Sequence, residues 1–99
     1  KDQIVDVHSS HIVLQLLITG FTNGLLASEA IFPLLCTVLF FAEIPDEDLI
    51  AALQLLNSLA ESDHCQNLFY AKSFATDYLA LVNKWQDNKE ILLFFIFIF

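Results

Sequence analysis

Basic residues are scarce in this chain, which has no arginine and only four lysines against twelve acidic residues, and its formal net charge is −8. Carboxylates in such excess repel the phosphates of nucleic acids and of anionic membrane surfaces. With only two glycines, the chain also has no glycine-rich loop that would bind a phosphate group. The composition therefore argues against direct nucleic-acid binding and favours another protein or a peptide, preferably a basic one, as partner.

Cysteine is almost as rare, with Cys36 and Cys65 as the only two. Two cysteines do not make the disulfide framework of a small secreted domain. Both lie in apolar helical patterns, where a free cysteine usually acts as a small buried hydrophobic side chain. The cysteines therefore favour a reducing, intracellular compartment, cytoplasmic or nuclear.

A continuous run of about 20 apolar residues, which a membrane-spanning helix needs, is missing as well. Stretch 12–28 is uncharged but interrupted by polar residues and glycines, and stretch 31–42 is short and contains Pro33. The final stretch, 91–99, is apolar throughout. A membrane is therefore an unfavoured partner. One alternative stays open, namely a membrane-associated helical segment anchored through residues 91–99.

Apolar residues are abundant, at 57% of the 99 residues, against about 45–50% in ordinary globular domains. A domain of this size buries roughly two-thirds of the surface that its unfolded chain exposes. We therefore expect flanking segments to cover part of the apolar surface, and interpret residues 1–99 as a single helical piece of a longer chain.

The spacing of apolar residues predicts an all-α protein with helices over residues 3–22, 31–41, 45–62, 74–85 and 89–99, and a short helix that is capped by Ser62 or Asp63 and runs to about residue 71. Gly20 and Asn23-Gly24 are expected to end the first helix. Ser28, Asp46 and either Asp87 or Asn88 are the predicted N-caps. The second helix is apolar nearly all round and should be covered on both sides. The third has an apolar stripe made of Leu49, Ala52, Leu53, Leu56, Leu59 and Ala60.

Two segments recur along the chain at nearly the same interval. Leu14-Gln15-Leu16-Leu17 returns 39 residues later as Leu53-Gln54-Leu55-Leu56, and the turn 45–48 aligns with 86–89. A helical period of about 40 residues is typical of armadillo and HEAT arrays, whose units bury their apolar faces against stacked neighbours.

Three segments in order, EAIFPLL (29–35), IPDED (44–48) and IAALQLLNSLA (50–60), resemble the armadillo repeat pattern. The resemblance implies a right-handed α-α superhelix of about two repeats within a longer array. Residues 1–24 would end one repeat, 25–62 form a full repeat, and 63–99 most of the next. It also implies a non-catalytic scaffold or adaptor that binds proteins and stacks on flanking repeats of its own chain.

Peptide-binding members of the family carry ladders of asparagine and tryptophan on the third helix of each repeat. Here Ser58 and Gln54 occupy those two positions, with Thr19 and Gln15 upstream and Phe99 and Phe95 downstream, so the ladders are absent. The resemblance then implies a binding face without the peptide-clamping chemistry. The predicted residues of this third-helix face are Gln15, Thr19, Gln54, Asn57, Ser58 and Glu61, with support from Asp63.

The sequence offers little for catalysis or metal binding. His8 and His11 share a helix face but have no third ligand nearby, which favours surface or capping histidines over a metal pair. His64 and Cys65 are adjacent on a helix and do not face each other. The acidic residues 46–48 suit a helix N-terminus better than a calcium loop. We therefore expect no enzyme activity, cofactor or metal.

Overall fold

A computed structural model describes residues 7–62 and 65–96, and these residues form six α-helices and no strand. The all-α prediction is therefore confirmed for the described residues. The predicted beginning of the first helix at residues 3–6 and the end of the last at residues 97–99 lie outside them, as does Asp63. The helices are α1 (Val7–Thr22), α2 (Ser28–Phe41), α3 (Asp46–Ala60), α4 (Gln66–Phe69), α5 (Lys72–Lys84) and α6 (Lys89–Ile96).

Helix α1 ends in a glycine-based C-cap. Gly24 has φ +70°, and its N–H donates to the carbonyl of Phe21 at 3.2 Å while the N–H of Leu25 donates to that of Gly20 at 2.8 Å. This pair of bonds is the Schellman pattern, which satisfies carbonyls at a helix end. Gly24 is thus confirmed as a terminator. Gly20 instead lies inside the helix, where the absence of a Cβ makes room for the side chain of Leu26.

The N-caps of helices α2 and α3 lie one residue before the predicted ones. Ala27 and Pro45 are the capping residues, both extended and neither with a side-chain cap bond, so Ser28 and Asp46 occupy the first helical position. The cap predictions for these two residues are therefore wrong by one position. Asn88 is confirmed for α6, because its Oδ1 accepts a hydrogen bond at 3.2 Å from the backbone N–H three residues later.

Helix α3 lies at the centre of the molecule and packs against α1, α2 and α6. The predicted apolar stripe is confirmed, except that Ala60 is only partly buried. Leu55 is buried as well, which widens the stripe toward α1. The buried side chains of α3 are Asp48, Leu49, Ala52, Leu53, Leu55, Leu56 and Leu59.

Helix α2 is covered less completely than its sequence predicts. It packs against α1, α3 and α5, yet Leu34 and Phe41 are each 53% exposed. Phe41 lies at the edge of the contact with α5, where it lines a groove with Phe74. The prediction that α2 is covered on both sides is therefore wrong for the described residues.

A chain of aromatic rings joins α2 to α5 and α6. Ring centroids of Phe32 and Phe74 lie 5.4 Å apart, as do those of Phe74 and Tyr78 and those of Tyr78 and Phe95. The buried Tyr78 hydroxyl donates to the backbone carbonyl of Phe95, and burial raises the pKa of this hydroxyl. The aromatic contacts thus attach the last two helices to the core.

Helix α3 packs against both α1 and α6, and α2 packs against α5. The Cα radius of gyration is 12.7 Å and the principal extents are 35 × 30 × 28 Å. These dimensions describe a compact globule, so the superhelical path of a longer array stays a prediction.

Replacing Leu53 by alanine tests the central position of α3. Leu53 is fully buried, so Leu53→Ala should lower the free energy of unfolding by about 2–5 kcal/mol, the usual cost of a leucine-sized cavity. Urea unfolding followed by circular dichroism provides the measurement. Leu16→Ala is the matched control, because Leu16 is 65% exposed and should cost less than about 1 kcal/mol. Equal losses in the two variants would contradict the central role of α3.

Candidate functional site

The third-helix face predicted from the sequence is mostly accessible. Gln15 and Thr19 are exposed on α1, and Gln54 and Ser58 are exposed on α3. Glu61 follows α3 directly and is exposed too. The remaining predicted residue, Asn57, is partly buried.

A groove of about 220 Å³ separates α1 from α3. We call it the α1–α3 groove, and it is lined by Ile18, Phe21, Thr22, Ala51, Gln54, Leu55 and Ser58. Of the predicted face, only Gln54 and Ser58 line this groove. The Ser58 hydroxyl donates to the carbonyl of Gln54 at 3.2 Å, while the Gln54 side chain is available on the rim. The groove therefore combines an apolar floor with an amide and a hydroxyl that both come from α3.

Asn57 faces the opposite neighbour of α3. Its Nδ2 donates at 3.2 Å to the carbonyl of Phe94 in α6, and its Oδ1 is buried with no hydrogen-bond partner among the described residues. A buried amide that bridges two helices contributes to packing and specificity of the core more than to a surface. The structure thus separates Asn57 from Gln54 and Ser58, although all three are on one helix.

A histidine and a carboxylate connect α1 to the first turn of α3. Nδ1 of His11 lies 3.0 Å from Oδ1 and 3.1 Å from Oδ2 of Asp48. The Asp48 side chain is only 7% exposed, whereas that of His11 is 52% exposed. Asp48 also lies where the α3 dipole favours a negative charge. This pairing was not predicted for His11, because a separation of 37 residues leaves no local signal in the sequence.

A larger groove, of about 370 Å³, lies between α2 and α5 and borders α4. We call it the α2–α5 groove. Phe32, Cys36, Phe40 and Phe74 line it among other residues, and Glu29 and Asp77 contribute carboxylates from opposite helices. This groove was not predicted from the sequence. The stripe Phe32, Cys36, Phe40 was visible at helical spacing, but sequence alone does not tell which apolar stripe stays uncovered.

The environment of the α2–α5 groove raises the pKa of the Cys36 thiol. Burial and, next, the negative charge of Asp77 raise its pKa from 9.0 to about 12. Burial is also the largest cause that raises the pKa of Cys65. Both cysteines are free thiols, and a raised pKa leaves very little of the reactive thiolate at neutral pH.

The described residues show neither a metal-binding group nor a membrane-spanning helix. No group of three or more His, Cys, Asp or Glu side chains is placed there to hold a metal ion. His64, considered above beside Cys65, lies outside the described residues, and so does the side chain of His8. None of the helices in the described parts of the chain has the length and apolar character needed to cross a bilayer. In α6, Ile91 and Phe95 are buried in the core.

Comparison of the chain with protein-family models, with curated proteins and with solved structures gave no match. The armadillo resemblance therefore stays a prediction from the segments 29–35, 44–48 and 50–60.

The contact between His11 and Asp48 is tested by a double-mutant cycle. Asp48→Ala should lower the free energy of unfolding by about 1–2 kcal/mol, because it removes the hydrogen bonds to His11 and the negative charge at the N-terminus of α3. Asp46→Ala, in the same turn but exposed, should cost less than about 1 kcal/mol. Urea unfolding of Asp48→Ala, His11→Ala and the double variant measures the coupling. Strictly additive losses would show that the two residues are not coupled.

The raised pKa of Cys36 predicts a loss of stability in alkali. Above pH 9.0 the unfolded chain ionises this thiol while the folded protein keeps it protonated, so the stability present below pH 9.0 is lost as the pH rises. The slope for one thiol is at most about 1.4 kcal/mol per pH unit.

Urea unfolding at pH values between 8 and 10 measures this slope. Cys36→Ala should show a shallower decline than the unmodified protein, whereas Thr37→Ala, an exposed neighbour that does not titrate, should not. Identical slopes for Cys36→Ala and the unmodified protein would refute the assignment.

Proposed function

We propose that this chain is a non-catalytic protein-interaction module, a scaffold or adaptor, built from armadillo-like helical repeats. The observation that carries the proposal is the α1–α3 groove, an open surface between two helices that the repeat alignment makes equivalent. Its apolar floor and exposed Gln54 and Ser58 suit a partner peptide or a partner helix. Gln15, Thr19 and Glu61 extend this face. Asn57 contributes indirectly, through its hydrogen bond to α6.

The repeat architecture is supported by two contacts with the same sequence separation. His11 meets Asp48 across α1 and α3, and Asn57 meets Phe94 across α3 and α6; both pairs are 37 residues apart. Successive third helices in a solenoid lie side by side at one such interval. Under this proposal α1, α3 and α6 are third helices of consecutive repeats, and α2 and α5 are second helices.

The net charge of −8 favours a basic partner and disfavours nucleic acid. The two free cysteines support an intracellular location. The membrane-associated alternative is less favoured, because Ile91 and Phe95 in the run 91–99 pack into the core, although Leu93 is exposed. Exposed Leu34 and Phe41 on α2 suit contact with a flanking repeat.

A pair of arginine substitutions in the α1–α3 groove tests the proposed binding face. Gln54→Arg with Ser58→Arg fills the groove and repels a basic partner, while both sites are exposed enough to keep the fold. Peptides selected by phage display on the unmodified protein should bind this variant at least about tenfold more weakly, a change of about 1.4 kcal/mol. Fluorescence polarisation with labelled peptides measures the affinity.

The control variant is Thr76→Arg with Gln86→Arg, which adds the same charge at two other exposed sites. It should change the affinity less than about twofold. If every selected peptide binds the groove variant as tightly as the control, or if the selection yields no specific peptide, the proposed face is wrong.

A further inference from the structure

The α2–α5 groove is an apolar concavity that the proposed function does not use. Aromatic rings from both helices form it: the centroid of Phe74 lies 5.4 Å from that of Phe32 and 5.8 Å from that of Phe40. Phe40 and Cys36 are only partly buried. Phe32 and Phe74 are buried and form the floor of the groove, whereas Phe40 keeps part of its ring accessible.

The groove also carries a net negative charge. Glu29 on α2 and Asp77 on α5 both line it, and no lysine does. Neither carboxylate takes part in an ion pair within the described residues. Lys84 lines a smaller adjoining groove together with Asp77, but the two side chains form no ion pair. The charge of Asp77 reaches the groove, since it contributes to the raised pKa of Cys36.

Aromatic side chains and two carboxylates in one groove favour an occupant that is both apolar and positively charged. A cation in this partly dry groove is attracted by the carboxylates of Glu29 and Asp77 more strongly than in water. The accessible part of the Phe40 ring also attracts a cation, and the aromatic floor buries the apolar groups beside it. An anionic occupant is repelled, and a purely apolar one leaves the two carboxylates without a counter-charge.

We propose that the α2–α5 groove binds a peptide segment in which apolar side chains flank a lysine or arginine. A volume of about 370 Å³ is at the lower end for a ligand pocket, so it accommodates a few anchoring side chains of a short segment. This site is separate from the α1–α3 groove and does not depend on it. A folded partner would reach it through an exposed loop or terminus.

Three blocked pentapeptides test the charge preference. The probe is acetyl-Phe-Leu-Lys-Leu-Phe-amide, and its partners carry norleucine or glutamate in place of lysine, which keeps the apolar side chains constant. Titration followed by the NMR amide signals of α2 and α5 gives the affinity and the location. The lysine peptide should bind about tenfold more tightly than the norleucine peptide, with the glutamate peptide weakest. Raising the salt concentration should reduce only the advantage of lysine.

Charge-neutralising variants test the two carboxylates. Glu29→Gln with Asp77→Asn should bring the lysine and norleucine peptides to within about twofold of each other. Glu43→Gln with Asp87→Asn removes the same charge from exposed sites elsewhere and should leave the preference intact. If the first variant does not fold, Glu29→Gln alone, at an exposed position, should still reduce the preference for lysine.

Several outcomes would overturn the proposal. Equal affinity for the lysine and norleucine peptides would remove the role of the carboxylates, and signal changes outside α2, α4 and α5 would place the site elsewhere. Tighter binding of the free amine 4-phenylbutylamine than of the lysine peptide would make the groove a small-amine site instead. The variant Gln54→Arg with Ser58→Arg should bind the lysine peptide normally, so failure of the two proposals is distinguishable.

Discussion

The fold depends on the burial of α3 on three sides. Six of its apolar side chains, Leu49, Ala52, Leu53, Leu55, Leu56 and Leu59, are removed from water, and each buried leucine contributes about 1.5–3 kcal/mol. No single neighbour can cover so wide a surface on a helix of 15 residues. Helices α1, α2 and α6 are therefore all required, and α5 follows because it packs against α2.

Two polar contacts determine how the neighbours align with α3. His11 meets Asp48 at its first turn, and Asn57 meets the carbonyl of Phe94 nearer its end. Apolar contacts are nondirectional, whereas these hydrogen bonds specify one register for α1 and one for α6. Each contact joins residues that are 37 positions apart in the sequence.

The packing of the helices leaves two grooves uncovered, and these are the surfaces open to partners. On α3 only a narrow strip with Gln54 and Ser58 remains exposed, and together with α1 it makes the α1–α3 groove. On the other side, α5 touches α2 through Phe74 but leaves the groove beside that contact uncovered. The first groove is polar at its rim and nearly neutral, and the second is aromatic and acidic. The two surfaces therefore suit partners of different chemistry.

The sequence by itself determined where the helices are, because their ends are marked locally by Pro45, Gly24 and Asn88 and their buried faces by the spacing of leucines. It also identified Gln54 and Ser58 as exposed residues of α3. Only the tertiary structure decided that Asn57 turns toward α6, that His11 pairs with Asp48, and that the α2–α5 groove stays open. The periodicity of a helix specifies which of its sides is apolar, but which neighbour covers that side depends on contacts between residues distant in sequence.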